Sequence, residues 1–315
     1  MSLLTCFLDV GTHKHFEGQI LIKVIKKYVP ESLRKPISRI RRLLHPRNLT
    51  WRINGILRPE KPIICRFGDN LKLRIYPFDI IGRNIYVSGY FELNECRAVQ
   101  RILRPGMIFF DIGANLGQYT LLAAEKVGPT GHVYSFEPNT RMFGELQFNV
   151  QLNSLGNFCT LNKMALSSMT GEAMMLIHSP GSEVYGSLGK SSLNPDAIIG
   201  AELVPTQTLD SYIVDNGIFS IDFIKIDVEG AELLVLHGAE HILKRIRPYL
   251  LIEISDLNTV NHGYKAKEVV ELLSKNDYTL NTISAAGDVV RAEIQDIDFV
   301  SGTYLAVPRI STKGE

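Results

Sequence analysis

Three places in the chain end an apolar run on residues that can do chemistry. The first is Phe110-Asp111-Ile112-Gly113-Ala114-Asn115-Leu116-Gly117. Small residues at the carboxyl end of a strand let a ligand approach the backbone, and open α/β sheets bind ligands there. A dinucleotide fingerprint would read GxGxxG, whereas this loop carries an amide, Asn115, where a pyrophosphate needs bare backbone. Asp111 would repel phosphate and attract an ammonium group, directly or through water. That chemistry suits the amino-acid end of S-adenosylmethionine. The second place is Glu137, twenty residues after Gly117. A carboxylate there can accept from both hydroxyls of a ribose. This spacing suits NAD and S-adenosylmethionine equally, and Glu137 could instead serve the N-terminus of the next helix.

The third place is Ile224-Lys225-Ile226-Asp227-Val228-Glu229-Gly230-Ala231-Glu232. On an extended strand end Asp227 and Glu229 point the same way, which is costly unless a cation, a hydroxyl or a proton-transfer task compensates them. Hard oxygen ligands suit Mg²⁺, but no histidine accompanies them and no metal is assigned. The other alternative is a carboxylate cluster capping the helix that starts at Ala231. His237 falls inside that helix, while His178 and His262 lie in loop-rich segments from which they could reach the crevice.

These residues need a scaffold, and the hydrophobic pattern supplies one. Ile63–Phe67 and Leu71–Ile75 flank Gly68-Asp69-Asn70 and predict a hairpin. A helical zone over 79–103, broken near Gly89, precedes Pro105-Gly106. Then strands at 107–112, 133–136 and 158–166 alternate with helices at 117–127 and 139–153. The strands are almost continuously apolar, as parallel sheets covered on both faces require. Residues 171–210 are Gly/Ser-rich and predict an inserted strand plus mobile loops. Strands at 223–228, 249–254, 278–283 and 303–307 complete a doubly wound α/β sheet of about seven strands.

The 315 residues are 45% apolar, enough for a sizeable core and against intrinsic disorder. A net charge of +1 gives no reason to expect a nucleic-acid partner. The charge is uneven, however: residues 1–61 hold 13 Lys/Arg against 4 Asp/Glu. Within residues 20–47 two cationic amphipathic pieces, around Ile20–Tyr28 and Ile37–Leu44, can lie on an anionic membrane or form a solvated face. Four widely spaced cysteines suggest free thiols in a reducing compartment. With no signal-peptide pattern and no uninterrupted apolar span, the expected location is the cytoplasm, with peripheral contact at the inner face of the membrane as the alternative. The expected organisation is a basic helical extension over 1–62, a lead-in over 63–104 and a cofactor-binding domain over 105–310.

The ordered set Gly82-x-Asn84-x-Tyr86, Gly89-Tyr90-Phe91-Glu92, Asp111 to Gly117, Phe136-Glu137-Pro138, Lys225 to Glu232, and Arg247-Pro248 before Leu251-Ile252-Glu253-Ile254 resembles the FkbM-type S-adenosylmethionine-dependent methyltransferases. The resemblance implies a class I methyltransferase fold, a Rossmann-like seven-stranded sheet with the last strand antiparallel, and O-methylation of a sugar or natural-product hydroxyl. It would put the methionine end of the cofactor on Asp111, Gly113, Ala114, Asn115 and Gly117, its ribose on Glu137, and its adenine near Ala165. Asp227, with Glu229 as rival, would be the base, while Glu92 and Tyr90 would cover the site. The acceptor would be a small molecule or glycan. The alternative is a nicotinamide-dependent oxidoreductase, weakened by the missing second glycine and by the Asp-x-Glu-Gly after the fourth strand.

Overall fold

The computed structural model describes residues 50–51, 61–77, 79–179, 198–291 and 301–309. The chain divides into Met1–Leu57 and Arg58–Glu315, and the fold below is that of the second unit. Both cationic amphipathic pieces lie outside the described residues, as do Gly181, Gly186 and Gly189. Among the described residues no helix is long and apolar enough to cross a membrane.

The lead-in is a hairpin, β1 (Ile63–Phe67) and β2 (Leu71–Ile75), followed by α1 (Ile80–Ser88) and α2 (Leu93–Ile102). Asp79 caps α1 by accepting from the N–H groups of Ile81 and Gly82, and Gly89 ends it in the left-handed conformation. The alternating half then runs β3 (Ile108–Ile112), α3 (Gln118–Val127), β4 (His132–Phe136), α4 (Thr140–Leu152) and β5 (Cys159–Asn162). Buried Asn149 of α4 fastens the lead-in: its Oδ1 accepts from Arg74 N–H at 2.7 Å, and its Nδ2 donates to the Leu116 carbonyl at 2.9 Å.

Where the sequence predicts one strand over 158–166, the structure has two. β5 stays in the main sheet, whereas β6 (Ala165–Leu166) joins β7 (Gly171–His178) and β8 (Ile198–Gln207) in a separate three-stranded sheet. The inserted strand is therefore an antiparallel pair, with Met174 opposite Leu203. The chain returns through α5 (Leu209–Asp215), which the sequence reading missed, to β9 (Phe223–Ile226) and α6 (Glu232–His237). A π-helical turn (Ile242–Ile246), β10 (Tyr249–Ser255), α7 (Asp256–Thr259), α8 (Ala266–Lys275), β11 (Tyr278–Ile283), β12 (Val289–Arg291) and β13 (Ser301–Pro308) follow.

The main sheet has the order β12-β11-β13-β10-β9-β3-β4-β5. Five strands, β5-β4-β3-β9-β10, are parallel. β13 slots in antiparallel between β10 and β11, as the resemblance implies. The short hairpin partner β12 brings the strands to eight rather than seven. Phe110, Phe136, Ile224, Ile226, Leu236 and Ile252 are all buried at the centre of the core. The chain winds outward from β3 to β5 and then returns to β9 beside β3. That reversal opens a crevice at the carboxyl ends of β3 and β9, where ligands of doubly wound sheets bind.

Candidate active site

A cavity of about 370 Å³ occupies this crevice, within the size range of small-molecule sites. Its floor is the loop after β3. Gly113 and Ala114 each donate an N–H to the Phe136 carbonyl at 3.0 Å, which folds the loop over the end of β4. Gly113 has φ +78°, and a Cβ on it would overlap the Asp227 carbonyl oxygen, so only glycine allows β3 and β9 to meet here. Asn115, at φ +51°, donates its N–H to Glu137 Oε2 at 2.8 Å. Glu137 Oε1 accepts from Asn139 N–H at 2.9 Å. Burial pushes the Glu137 carboxyl up to about 7, against the lowering effect of those two N–H groups. Each oxygen keeps an acceptor site for a ligand hydroxyl.

Three residues expected on the cofactor or over the site stand elsewhere. Asp111 is fully buried and does not line the cavity. It lies within β3, level with Ser135 of β4 and Lys225 of β9. Its Oδ2 accepts from Thr120 Oγ1 at 2.6 Å, and its Oδ1 lies 3.8 Å from Lys225 Nζ. Its charge therefore acts through Lys225 rather than on a ligand ammonium. Gly117, at φ +97°, starts α3 and leaves room for Leu146 instead of facing the cavity. Tyr90 turns toward the hairpin and meets Phe67 edge-on at 5.4 Å. Its neighbours Phe91 and Glu92 line the cavity instead, and Glu92 accepts from Tyr119 Oη at 2.9 Å.

The opposite end is acidic. Asp227 and Glu229 both line it, but not because of strand alternation: β9 ends at Ile226, and Glu229 sits at φ +54° in the turn that follows. Glu253 of β10 joins them, and the three carboxylates each place an oxygen within 4.8 Å of the others. Such a trio could hold a hard cation or share protons. Lys225 Nζ already faces it, 3.2 Å from Asp227 Oδ2 and donating to the Gly113 carbonyl at 2.6 Å. Burial works against the Lys225 charge, but Asp227, Asp111 and Glu92 outweigh it and hold the ammonium above the ordinary lysine value. Burial, reinforced by the Asp227 charge, drives Glu229 and Glu253 far above the carboxylate range. Asn258 Nδ2 donates to Glu229 Oε2 at 3.1 Å. The third acid of the motif, Glu232, takes the capping role: its Oε1 accepts from the N–H groups of Val228 and Gly230, both at 3.1 Å. Glu92, Asn115 and Glu229, all non-glycine residues with left-handed backbones, line the cavity, in keeping with strain concentrated at functional sites.

Sequence reasoning assigned no site role to Lys225, Glu253, Tyr119 or Asn258. Glu253 had a signal, since it is the one charged residue in the otherwise apolar run of β10. None of His178, His237 and His262 lines the cavity.

The residues fit S-adenosylmethionine. Glu137 offers open acceptor sites for ribose hydroxyls, and the Gly113–Asn115 backbone would cradle the methionine end. The apolar slot of Phe136, Met164, Ala165, Leu166 and Met175 would take adenine.

The sequence model of the methyltransferase FkbM domain matches residues 111–280, more than half of the chain. The chain is 28% identical over 210 residues to 31-O-demethyl-FK506 methyltransferase FkbM of Streptomyces tacrolimicus, covering 56% of this chain and 75% of that protein. It is 26% identical over 196 residues to hexuronic acid methyltransferase AglP of Haloferax volcanii, covering 60% and 73%. Among solved structures, methyltransferase FkbM from Methylobacillus flagellatus matches with 17% identity and a TM-score of 0.38 over 71% of this chain and about half, 52%, of its own. A SAM-dependent O-methyltransferase from Thermotoga maritima matches with 10% identity and a TM-score of 0.38 over 82% and 97%. The family match sets the nicotinamide alternative aside: the chain belongs to the FkbM methyltransferase family and uses S-adenosylmethionine as its cofactor.

Proposed function

We propose that the chain methylates a hydroxyl on a sugar, a glycan, or a glycosylated or polyketide-like metabolite, with Asp227 as the base. One observation carries this reading: carboxyls of unlike character stand together at one end of the cavity. The Asp227 side chain is 32% exposed and ion-paired to Lys225, whereas Glu229 and Glu253 are held as neutral acids at pH 7. A partly exposed, ion-paired carboxyl beside two more deeply desolvated ones can divide the roles of acceptor and donor.

The bound cofactor supplies an electrophilic methyl group on a sulfonium. Asp227 would take the hydroxyl proton as the acceptor oxygen bonds to the methyl carbon and the carbon–sulfur bond breaks, with S-adenosylhomocysteine leaving as a neutral thioether. Glu229 and Glu253, which keep their protons, donate hydrogen bonds that orient the acceptor, and Lys225 fixes the Asp227 carboxylate. Positioning of this kind accounts for much of the acceleration in an in-line displacement. The names of the two curated relatives, which specify an FK506 derivative and a hexuronic acid, support an acceptor of this small-molecule or sugar class.

The test is Asp227→Asn. General-base loss predicts a fall in kcat of about 10²–10⁴, with affinity for S-adenosylhomocysteine kept within about threefold of wild type, because Asp227 stands apart from the ribose and adenine positions. A normal kcat with a normal pH profile would move the role to Glu229.

A further inference from the structure

With Asp111 buried inside the sheet and tied to Thr120 and Lys225, the α-ammonium of S-adenosylmethionine needs another acceptor. An ammonium taken from water into a half-enclosed pocket requires hydrogen-bond acceptors, and a carboxylate makes the strongest of them. Glu92 is placed to be that carboxylate. It lines the cavity together with Gly113, Ala114 and Asn115, the loop that would cradle the methionine end. Its Oε2 accepts from Tyr119 Oη at 2.9 Å, and Tyr119 lies in the first turn of α3, which follows that loop directly. The Tyr119 ring in turn lies 5.5 Å from Lys225 Nζ, the group that donates to the Gly113 carbonyl. These contacts tie Glu92 to the Gly113 side of the loop, whereas Glu137 holds the Asn115 N–H. A carboxylate has about four lone-pair sites, so the bond from Tyr119 leaves room for a ligand N–H.

Glu92 does not serve its own helix. It precedes α2 with φ +51°, and its side chain makes no capping bond there. The peptide just before it is clamped instead. Phe91 N–H donates to Gln118 Oε1 at 2.9 Å, Gln118 Nε2 donates back to the Phe91 carbonyl at 3.0 Å, and the Cys96 thiol donates to the same carbonyl at 3.3 Å. Gln118 is buried and belongs to α3, so the clamp fixes Glu92 to the element that carries the loop. A carboxylate held in place before the ligand arrives loses little freedom on binding it. Burial first, and the Asp227 charge second, raise the Glu92 carboxyl to about 7, and a cation drawn against it favours the ionised form.

From this placement and this clamp we infer that Glu92 receives the α-ammonium of the cofactor. It does so whichever acceptor is methylated, because the contact is with the cofactor alone.

The experiment is calorimetric titration with S-adenosylhomocysteine and with its deaminated analogue, in which hydrogen replaces the α-ammonium. Wild-type protein, Glu92→Gln, Glu92→Asp and Asp227→Asn are compared. Wild type should prefer S-adenosylhomocysteine by roughly 10- to 150-fold, the range for a hydrogen bond to a charged group. In Glu92→Gln that preference should fall by about tenfold, because a neutral acceptor makes the weaker, uncharged bond. The analogue should bind this variant at least as well as it binds wild type, which also shows that the variant is folded. Glu92→Asp, charged but one methylene shorter, should fall between the two, and Asp227→Asn should keep the full preference. Equal affinity of wild type for the two ligands would overturn the inference. So would an undiminished preference in Glu92→Gln, or equal losses of both ligands there, which would make Glu92 a shaper of the pocket only. Should Glu92→Gln not fold, an undiminished preference in Glu92→Asp would overturn it likewise. A preference lost in Asp227→Asn alone would move the ammonium to Asp227.

Discussion

Replacing Glu137 with Gln should remove from both stability and cofactor affinity a pH dependence set by one proton. Glu137 is 6% exposed, and burial raises its carboxyl from 4.5 to about 7. The folded state therefore holds this proton more tightly than the unfolded chain. The resulting stabilisation is fully present below pH 4.5 and is lost as pH rises through 7; the change is worth about 3 kcal/mol. A glutamine is uncharged like the protonated acid, but its NH₂ group cannot accept from the N–H of Asn115 or Asn139, so one of those two hydrogen bonds is lost at a cost of about 1–3 kcal/mol at every pH. The variant should lie about 1–3 kcal/mol below wild type near pH 4.5 and gain about 3 kcal/mol relative to it by pH 8.5. Binding runs the other way. If the ionised carboxylate accepts from ribose hydroxyls, its loss costs about 1.5–3 kcal/mol, or roughly 10- to 150-fold in Kd for S-adenosylhomocysteine. Wild-type affinity should fall as pH drops below 7 and level off at the glutamine value, while the variant stays flat. Urea unfolding between pH 4.5 and 8.5 and calorimetric titration between pH 5.5 and 8.5 measure both. Equal affinity of the two proteins at pH 8 would remove Glu137 from the ribose, and parallel stability curves would refute the buried-proton reasoning.

Two further substitutions probe the frame of the site. Lys225→Met leaves Asp111 buried beside no cation and should lower unfolding stability by about 3–5 kcal/mol, with Asp111→Asn in the same background restoring much of the loss. Unchanged urea midpoints would show that the pair is not a structural unit. Gly113→Ala places a Cβ against the Asp227 carbonyl at φ +78°, and it should cost about 3 kcal/mol or more and abolish S-adenosylhomocysteine binding. A stable, binding-competent variant would contradict the close approach of β3 and β9.

The parallel strands were legible because burial on both faces leaves an unbroken apolar run in each, and the βα loops carried Gly113 and Asn115 at a position the topology makes a ligand site. The fate of Asp111 was not legible. Whether an acid near a strand end turns inward depends on its cross-strand neighbour, and the level pairing of Asp111 with Lys225 is a matter of register between residues 114 positions apart. For the same reason Asp227, Glu229 and Glu253 could not be seen as one cluster, since Glu253 arrives from the adjacent strand. The split of β5 from β6 was hidden because the apolar content hardly changes across Asn162-Lys163, while the partner strand β8 lies some forty residues further on. Tyr90 and Phe91 differ by one position in a turn, and contacts distant in sequence, Phe67 against Tyr90 and the Gln118 amide on the Phe91 backbone, accompany the placement of Phe91 at the cavity.

The central claim is that this site makes a methyl ether at a hydroxyl. The most direct measurement incubates the protein with methyl-labelled S-adenosylmethionine and a pool of glycans and small hydroxylated metabolites, then treats the labelled product with mild alkali and collects volatile methanol. The account predicts label retained in a non-volatile, alkali-stable product. Label released as methanol would identify a carboxyl acceptor and contradict it.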